Sequence, residues 1–106
     1  MTQPSTVAAQ MYGDVAPKFT ELTDQLLFDD IWKRPQLSPR DRSLATVSAL
    51  IALYRLEQLP FHLDRALDNG VTREELAELV AHLAFYAGWP CAASATKLLA
   101  AALARR

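Results

Sequence analysis

The polar groups able to do chemistry in this chain stand singly in apolar surroundings. His62 lies within Leu59-Pro60-Phe61-His62-Leu63. An imidazole there can give or take a proton near neutral pH if its neighbours hold it in a cavity; the alternative is a half-buried histidine bonded to a backbone carbonyl. Glu57 and Gln58 precede it closely, so one turn of chain can bring either to the ring, unless the break at Pro60 sends Glu57 to solvent. In Arg40-Asp41-Arg42, Asp41 can simply offset positive charge near a helix start, or Arg42 can present a fork to a substrate carboxylate. His82 and Tyr86 share a helix face, a spacing that suits packing as well as ligand contact. Cys91 follows Pro90 at a helix start. It is either a thiol acidified by the helix dipole or a small hydrophobe between Pro90 and Ala92.

The elements that must position these groups read as helices throughout. Phe19, Leu22, Leu26 and Leu27 fall at helical spacing between about Pro17 and Phe28. Asp29 to Gln36 reads as a connecting loop. Ser38-Pro39 supplies an N-cap and a first-turn proline for a helix expected to run to about Leu56, with Leu44, Val47, Leu50, Ile51 and Tyr54 on one stripe. Its other face is filled by alanine, serine and threonine, a composition that predicts burial on most sides, against a second subunit in so short a chain. Leu59–Asp68 is a short helix closed by Asn69-Gly70. Thr72 and Glu75 form a capping box opening a helix to about Ala87, with Leu76, Leu79, Val80, Leu83 and Ala87 inward. Gly88-Trp89-Pro90 breaks it, and Cys91 to about Ala104 forms an Ala-rich last helix ending in two arginines that suit its C-terminus. The expected fold is all-α, five to six helices.

Composition narrows the function classes. The 106 residues suit one domain, and 51% hydrophobic with 22% charged residues is too apolar for disorder. A formal net charge of −1 gives no electrostatic footprint for nucleic acid and favours self-association. A single cysteine excludes an intrachain disulfide, a CxxC redox pair and a cysteine-rich zinc site. No Gly-rich phosphate loop, HExxH motif or GxSxG elbow is present, so neither a metal nor a cofactor is expected. The start of the chain lacks the basic and apolar regions of a signal peptide. Apolar runs such as Ala49–Tyr54 fall far short of the about 20 residues needed to span a membrane. The expectation is a soluble cytoplasmic protein that contacts neither membrane nor nucleic acid.

Taken together, several segments resemble the carboxymuconolactone decarboxylase family, within the wider group of AhpD-like alkylhydroperoxidase folds. They are the run from Trp32 to Leu44 (WKRPQLSPRDRSL), Glu57-Gln58-Leu59-Pro60-Phe61-His62, the run from Ala66 to Leu76 (ALDNGVTREEL) and Tyr86-Ala87-Gly88-Trp89-Pro90. The resemblance covers about residues 31–103 and divides the chain into an N-terminal helical segment, 1–30, and a family-like core, 31–106, in one domain overall. It implies helices assembling into trimers or hexamers and a lyase of aromatic-compound catabolism that decarboxylates γ-carboxymuconolactone without a cofactor. His62 would then be the proton donor, supported by Glu57 or Gln58, and Arg42 the carboxylate anchor. Gln58, Tyr86 and Cys91 would contact the substrate. Arg55 and Gln58 fill the places of the peroxidase branch's cysteine pair, which excludes a dithiol peroxidase cycle. Gln58 also stands where the decarboxylase branch carries a carboxylate. Two alternatives are a non-catalytic, small-molecule-binding oligomer of the same fold and a one-cysteine redox protein using Cys91.

Overall fold

The computed structural model describes residues 3–106, and every regular element among them is helical. The chain forms two compact units, one extending through Pro39 and the other spanning Arg40–Arg106.

In the first unit, α1 (Val7–Tyr12) is followed by α2 (Pro17–Leu22), which continues into a π-helical turn over Thr23–Phe28. A 3-10 turn, Ile31–Lys33, then interrupts the stretch expected to be plain loop. The apolar residues Phe19, Leu22, Leu26 and Leu27 are exposed, whereas Thr20, Asp24 and Phe28 are buried. Asp24 explains a polar residue on the inner face. Its Oδ1 accepts from the Ser5 hydroxyl at 2.6 Å and the Ala8 amide at 2.9 Å, and its Oδ2 accepts from the Ala9 amide at 3.1 Å. These amides belong to the first turn of α1, whose donors have no partners within the helix. Burial pushes the Asp24 carboxyl up, but the bonds from Ser5, Ala8 and Ala9 together outweigh it and hold the group below its ordinary value.

The second unit contains α3 (Pro39–Ala52, whose first residue closes the preceding unit), α4 (Leu59–Asp68), α5 (Arg73–Ala87) and α6 (Trp89–Ala104). Val47 and Ile51 of α3, Leu59, Leu63 and Ala66 of α4, and Leu76 and Val80 of α5 join Ala92, Ala95, Leu99 and Ala102 of α6 in one core. Both α4 and α5 pack on α6, and the small side chains of α6 permit that close approach. Of the inward face expected for α5, Leu76 and Val80 are buried and Leu79 and Leu83 pack against the core, while Ala84 is buried in addition and Ala87 is half-buried.

Two helix ends show how chain reversal is achieved. At α4, Gly70 adopts φ +97°, its amide bonds to Leu67 O at 3.2 Å, and the Val71 amide bonds to Ala66 O at 2.9 Å. This is a Schellman motif with glycine in the left-handed position and Val71 and Ala66 both buried behind it. At α3 the same pattern occurs four residues before the expected end. Tyr54 bonds to Ile51 O at 3.1 Å and Arg55 to Leu50 O at 2.8 Å, with Tyr54 itself at φ +59°. A tyrosine is an uncommon occupant of that region. Its hydroxyl lies 3.1 Å from Ser94 Oγ on α6, a contact that helps offset the backbone cost. Tyr54 therefore leaves the apolar stripe and is 50% exposed.

The Thr72–Glu75 capping box is present, with Glu75 N donating to Thr72 Oγ1 at 3.1 Å and Thr72 N donating to Glu75 Oε1 at 2.9 Å. Glu75 also pairs with Arg40, tying the start of α3 to the start of α5. The Thr72 amide first, then the Arg40 guanidinium, holds the Glu75 carboxyl below its ordinary value. Thr72→Ala is expected to lower unfolding free energy by about 1 kcal/mol. Urea unfolding measures this, and an unchanged midpoint would show that the cap is redundant. Among the described residues no helix is long and apolar enough to cross a membrane.

Candidate functional site

Helix α4 is amphipathic, with Leu59, Leu63 and Ala66 directed into the core. His62 lies on the flank of that face, half-buried, and its Nδ1 is shielded from solvent. The His62 amide donates to Gln58 O at 3.4 Å, so Gln58 occupies the N-cap position of the helix that carries the imidazole. Pro60 falls in the first turn, where its lack of an N–H is tolerated. Position 62 is thus fixed by a helix start that the sequence itself encodes.

The surroundings of His62 are aromatic and cationic. The Phe61 ring meets the imidazole edge-to-face with centroids 5.0 Å apart. The Arg65 guanidinium lies 5.8 Å from the centroid of the same Phe61 ring. Burial, with the Arg65 charge adding to it, pushes the imidazole down to about 4. Both effects disfavour the charged ring, so His62 is neutral at pH 7. Arg65 is half-buried, and burial lowers its own value against the opposing pull of Asp68.

The acids of α4 also tie the helix to the end of the chain. Asp64 receives Arg105 Nη2 at 3.0 Å, and Asp68 receives Arg106 Nη2 at 2.6 Å, which joins α4 to the C-terminal end of α6. The two terminal arginines therefore serve as inter-helix ties as well as complements to the helix dipole.

The remaining sequence candidates occupy distinct settings. Arg42 is half-buried in the first turns of α3, with a buried Nε. Glu57 and Gln58 have exposed side chains in the turn before α4. Cys91 is half-buried on α6 and packs against the apolar core. Tyr86 is 79% exposed beside His82, with ring centroids 4.8 Å apart. Gln58 is joined to His62 by a hydrogen bond through its backbone carbonyl. Arg65 is the residue that sequence reasoning passed over. Its signal was its place three residues after His62, where side chains of one helix are neighbours. Among the described residues, no group of three or more His, Cys, Asp or Glu is arranged to hold a metal ion.

The first unit has a concavity of its own, an open groove of about 370 Å³ bordered by Ser5, Asp14, Glu21, Asp24 and Asp29 among others. Two of those acids already hold backbone amides, Asp24 those of α1 and Asp29 that of Ser5.

Fold and site together define an all-helical protein presenting one neutral, half-buried histidine beside an arginine. The chain belongs to the carboxymuconolactone decarboxylase family, whose model matches residues 17–101. It is 38% identical over 83 residues to the 4-carboxymuconolactone decarboxylase of Acinetobacter baylyi, covering 78% of this chain and 62% of that protein. It is 37% identical over 70 residues to the nitrosuccinic acid decarboxylase of Metarhizium robertsii, covering 66% of this chain and 49% of that protein. The matched region thus spans about half to three fifths of the length of these relatives.

Proposed function

We propose that this protein is a cofactor-free decarboxylase of a small carboxylated lactone, γ-carboxymuconolactone (4-carboxymuconolactone) being the first substrate to test. The observation that carries the reading is His62, a neutral imidazole held half-buried on α4 in a chain of this family. When carbon dioxide leaves, the electron pair of the broken C–C bond passes into the unsaturated lactone. The resulting carbanion then takes a proton on carbon, so each turnover consumes one proton from solvent. A neutral imidazole is too weak an acid to supply it. His62 must first be protonated, and an anionic substrate in the site favours this by placing negative charge beside the ring. His62 is then the proton donor, and Arg42 anchors the carboxylate that stays.

Gln58 cannot exchange protons. Its role is to set the start of α4, and the exposed Glu57 next to it assists proton supply from solvent. Tyr86 and Cys91 contribute to substrate contact. The exposed Phe85, Tyr86 and Trp89, at 76%, 79% and 63%, support assembly into a trimer or hexamer, since contiguous apolar surface of this kind marks interaction sites. The composition supports a cytoplasmic location.

The test is a decarboxylation assay on freshly generated 4-carboxymuconolactone, following substrate absorbance together with released carbon dioxide. Turnover is the expected result. Saturable binding of the lactone without product would instead identify a binding protein of the same fold, the reading favoured by the absence of a carboxylate at position 58.

A further inference from the structure

The buried stripe of α3 begins with a polar residue. Ser43, Val47 and Ile51 lie four apart on its inward face, and Ser43 is fully buried. A buried hydroxyl without a partner is costly. Here Asn69 Nδ2 donates to Ser43 Oγ at 3.0 Å, across 26 positions of the chain. Asn69 closes α4 at φ −84° and ψ 3°. A negative φ of this kind does not call for asparagine, so the backbone alone does not account for the residue. Its side-chain amide does.

This bond joins the start of α3 to the end of α4. Ser43 directly follows Arg42, and Asn69 stands about two turns beyond His62, at the end of a helix of ten residues. Otherwise α3 and α4 contribute apolar side chains to the shared core, Val47 and Ile51 from one, Leu59, Leu63 and Ala66 from the other. Apolar burial is non-directional. It holds two helices together without fixing how one slides or turns on the other, whereas a hydrogen bond has a set length and angle. The ties from Asp64 and Asp68 to Arg105 and Arg106 are largely open to solvent, where ion pairs hold position weakly.

We propose that Ser43 and Asn69 are positioning residues: their hydrogen bond sets α4 on α3, and so keeps His62 in its sheltered place at a fixed offset from Arg42. The roles of those two groups rest on the decarboxylase reading; their placement rests on the bond. A proton donor and a carboxylate anchor serve one substrate only while their spacing is held, and a small misplacement lowers the rate steeply.

The test is the titration of the His62 imidazole, followed by NMR on the full chain in wild type, Ser43→Ala, Asn69→Ala and Thr72→Ala. Thr72→Ala is the control for general loosening, since the bonds it removes lie within the start of α5. No substitution alters an ionisable group: Arg65, whose charge acts on the ring, is kept, as are Cys91 and Lys97 of α6 and Arg40, Asp41 and Arg42 of α3. A moved midpoint therefore reports a moved or rehydrated imidazole. From about 4 in wild type, it is expected to rise by about 0.5–1.5 in Ser43→Ala and in Asn69→Ala, and by about 0.2 or less in Thr72→Ala. Ser43→Ala/Asn69→Ala should match the larger single change, because the two residues share one bond. On 4-carboxymuconolactone each single variant should lower kcat/KM by about 10-fold, and Thr72→Ala by less than about 2-fold. Midpoints that move no further in both single variants than in Thr72→Ala overturn the proposal, as does unchanged kcat/KM in both. If Ser43→Ala does not fold, Asn69→Ala, at the half-buried end of the bond, is read against Thr72→Ala by itself. Absence of turnover by the wild type would overturn the decarboxylase reading alone, because the titration is read without catalysis.

Discussion

Replacing His62 with alanine is expected to lower kcat/KM for 4-carboxymuconolactone by about 10²–10⁴-fold, the range for loss of a positioned proton donor. The fold should tolerate the change, because the inward face of α4 is made by Leu59, Leu63 and Ala66 and His62 stands on its flank. Thermal melting of the same sample checks this, and His62→Gln provides a variant closer in volume. The decisive comparison is between kcat and KM. A residue that only lines the pocket would raise KM with little effect on kcat, whereas loss of the proton donor falls mainly on kcat. Activity within about threefold of wild type in both variants would remove His62 from the mechanism. The pH dependence gives a further check. The limb of the kcat profile assigned to His62 should lie above about 4, since bound substrate anion raises the value set by burial and Arg65 in the free protein.

Acidification offers the second large effect. In the unfolded chain His62 titrates near its ordinary value of 6.5, and in the folded protein at about 4. Between those values the unfolded chain binds more protons, so stability is lost as pH falls through this window and is fully present above it. Comparing pH 7.5 with pH 4.5, His62 should account for about 2 kcal/mol of the loss, allowing for its partial exposure. Carboxylates lose stability over part of the same range in any variant, so the quantity to read is a difference. Urea unfolding of wild type and His62→Asn at both pH values should show wild type losing more. Equal losses in the two proteins would mean that the imidazole is not desolvated in the native state.

These results depend on different levels of organisation. The capping box at Thr72 and Glu75 was legible because each partner lies within one turn of the other and local geometry alone satisfies the amides. The same holds for Gly70, whose left-handed φ follows from its place after α4, and for Pro39 and Pro60 in first helical turns. The bounds of α4, Leu59–Asp68, were read from such marks. The end of α3 was not. The continuing apolar pattern to Tyr54 and Leu56 favours a longer helix, and what stops it at Ala52 includes a contact from Tyr54 to Ser94, 40 residues further along. The inner face of α2 was likewise hidden, because Asp24 is buried to hold the amides of α1, which precede it by 16 and 15 residues.

The candidate site divides in the same way. By itself the sequence determined an all-helical chain, its capped boundaries, its family likeness and His62 as the group to examine, since each depends on residue type and short spacing. The charge state of His62 was decided by tertiary structure. Desolvation depends on the packing of α4 against α6 and the shared core. The charge that reaches the imidazole is that of Arg65, and the ties from Asp64 and Asp68 run to Arg105 and Arg106. Periodicity along one helix carries no record of such partners, because they come from the far end of the chain.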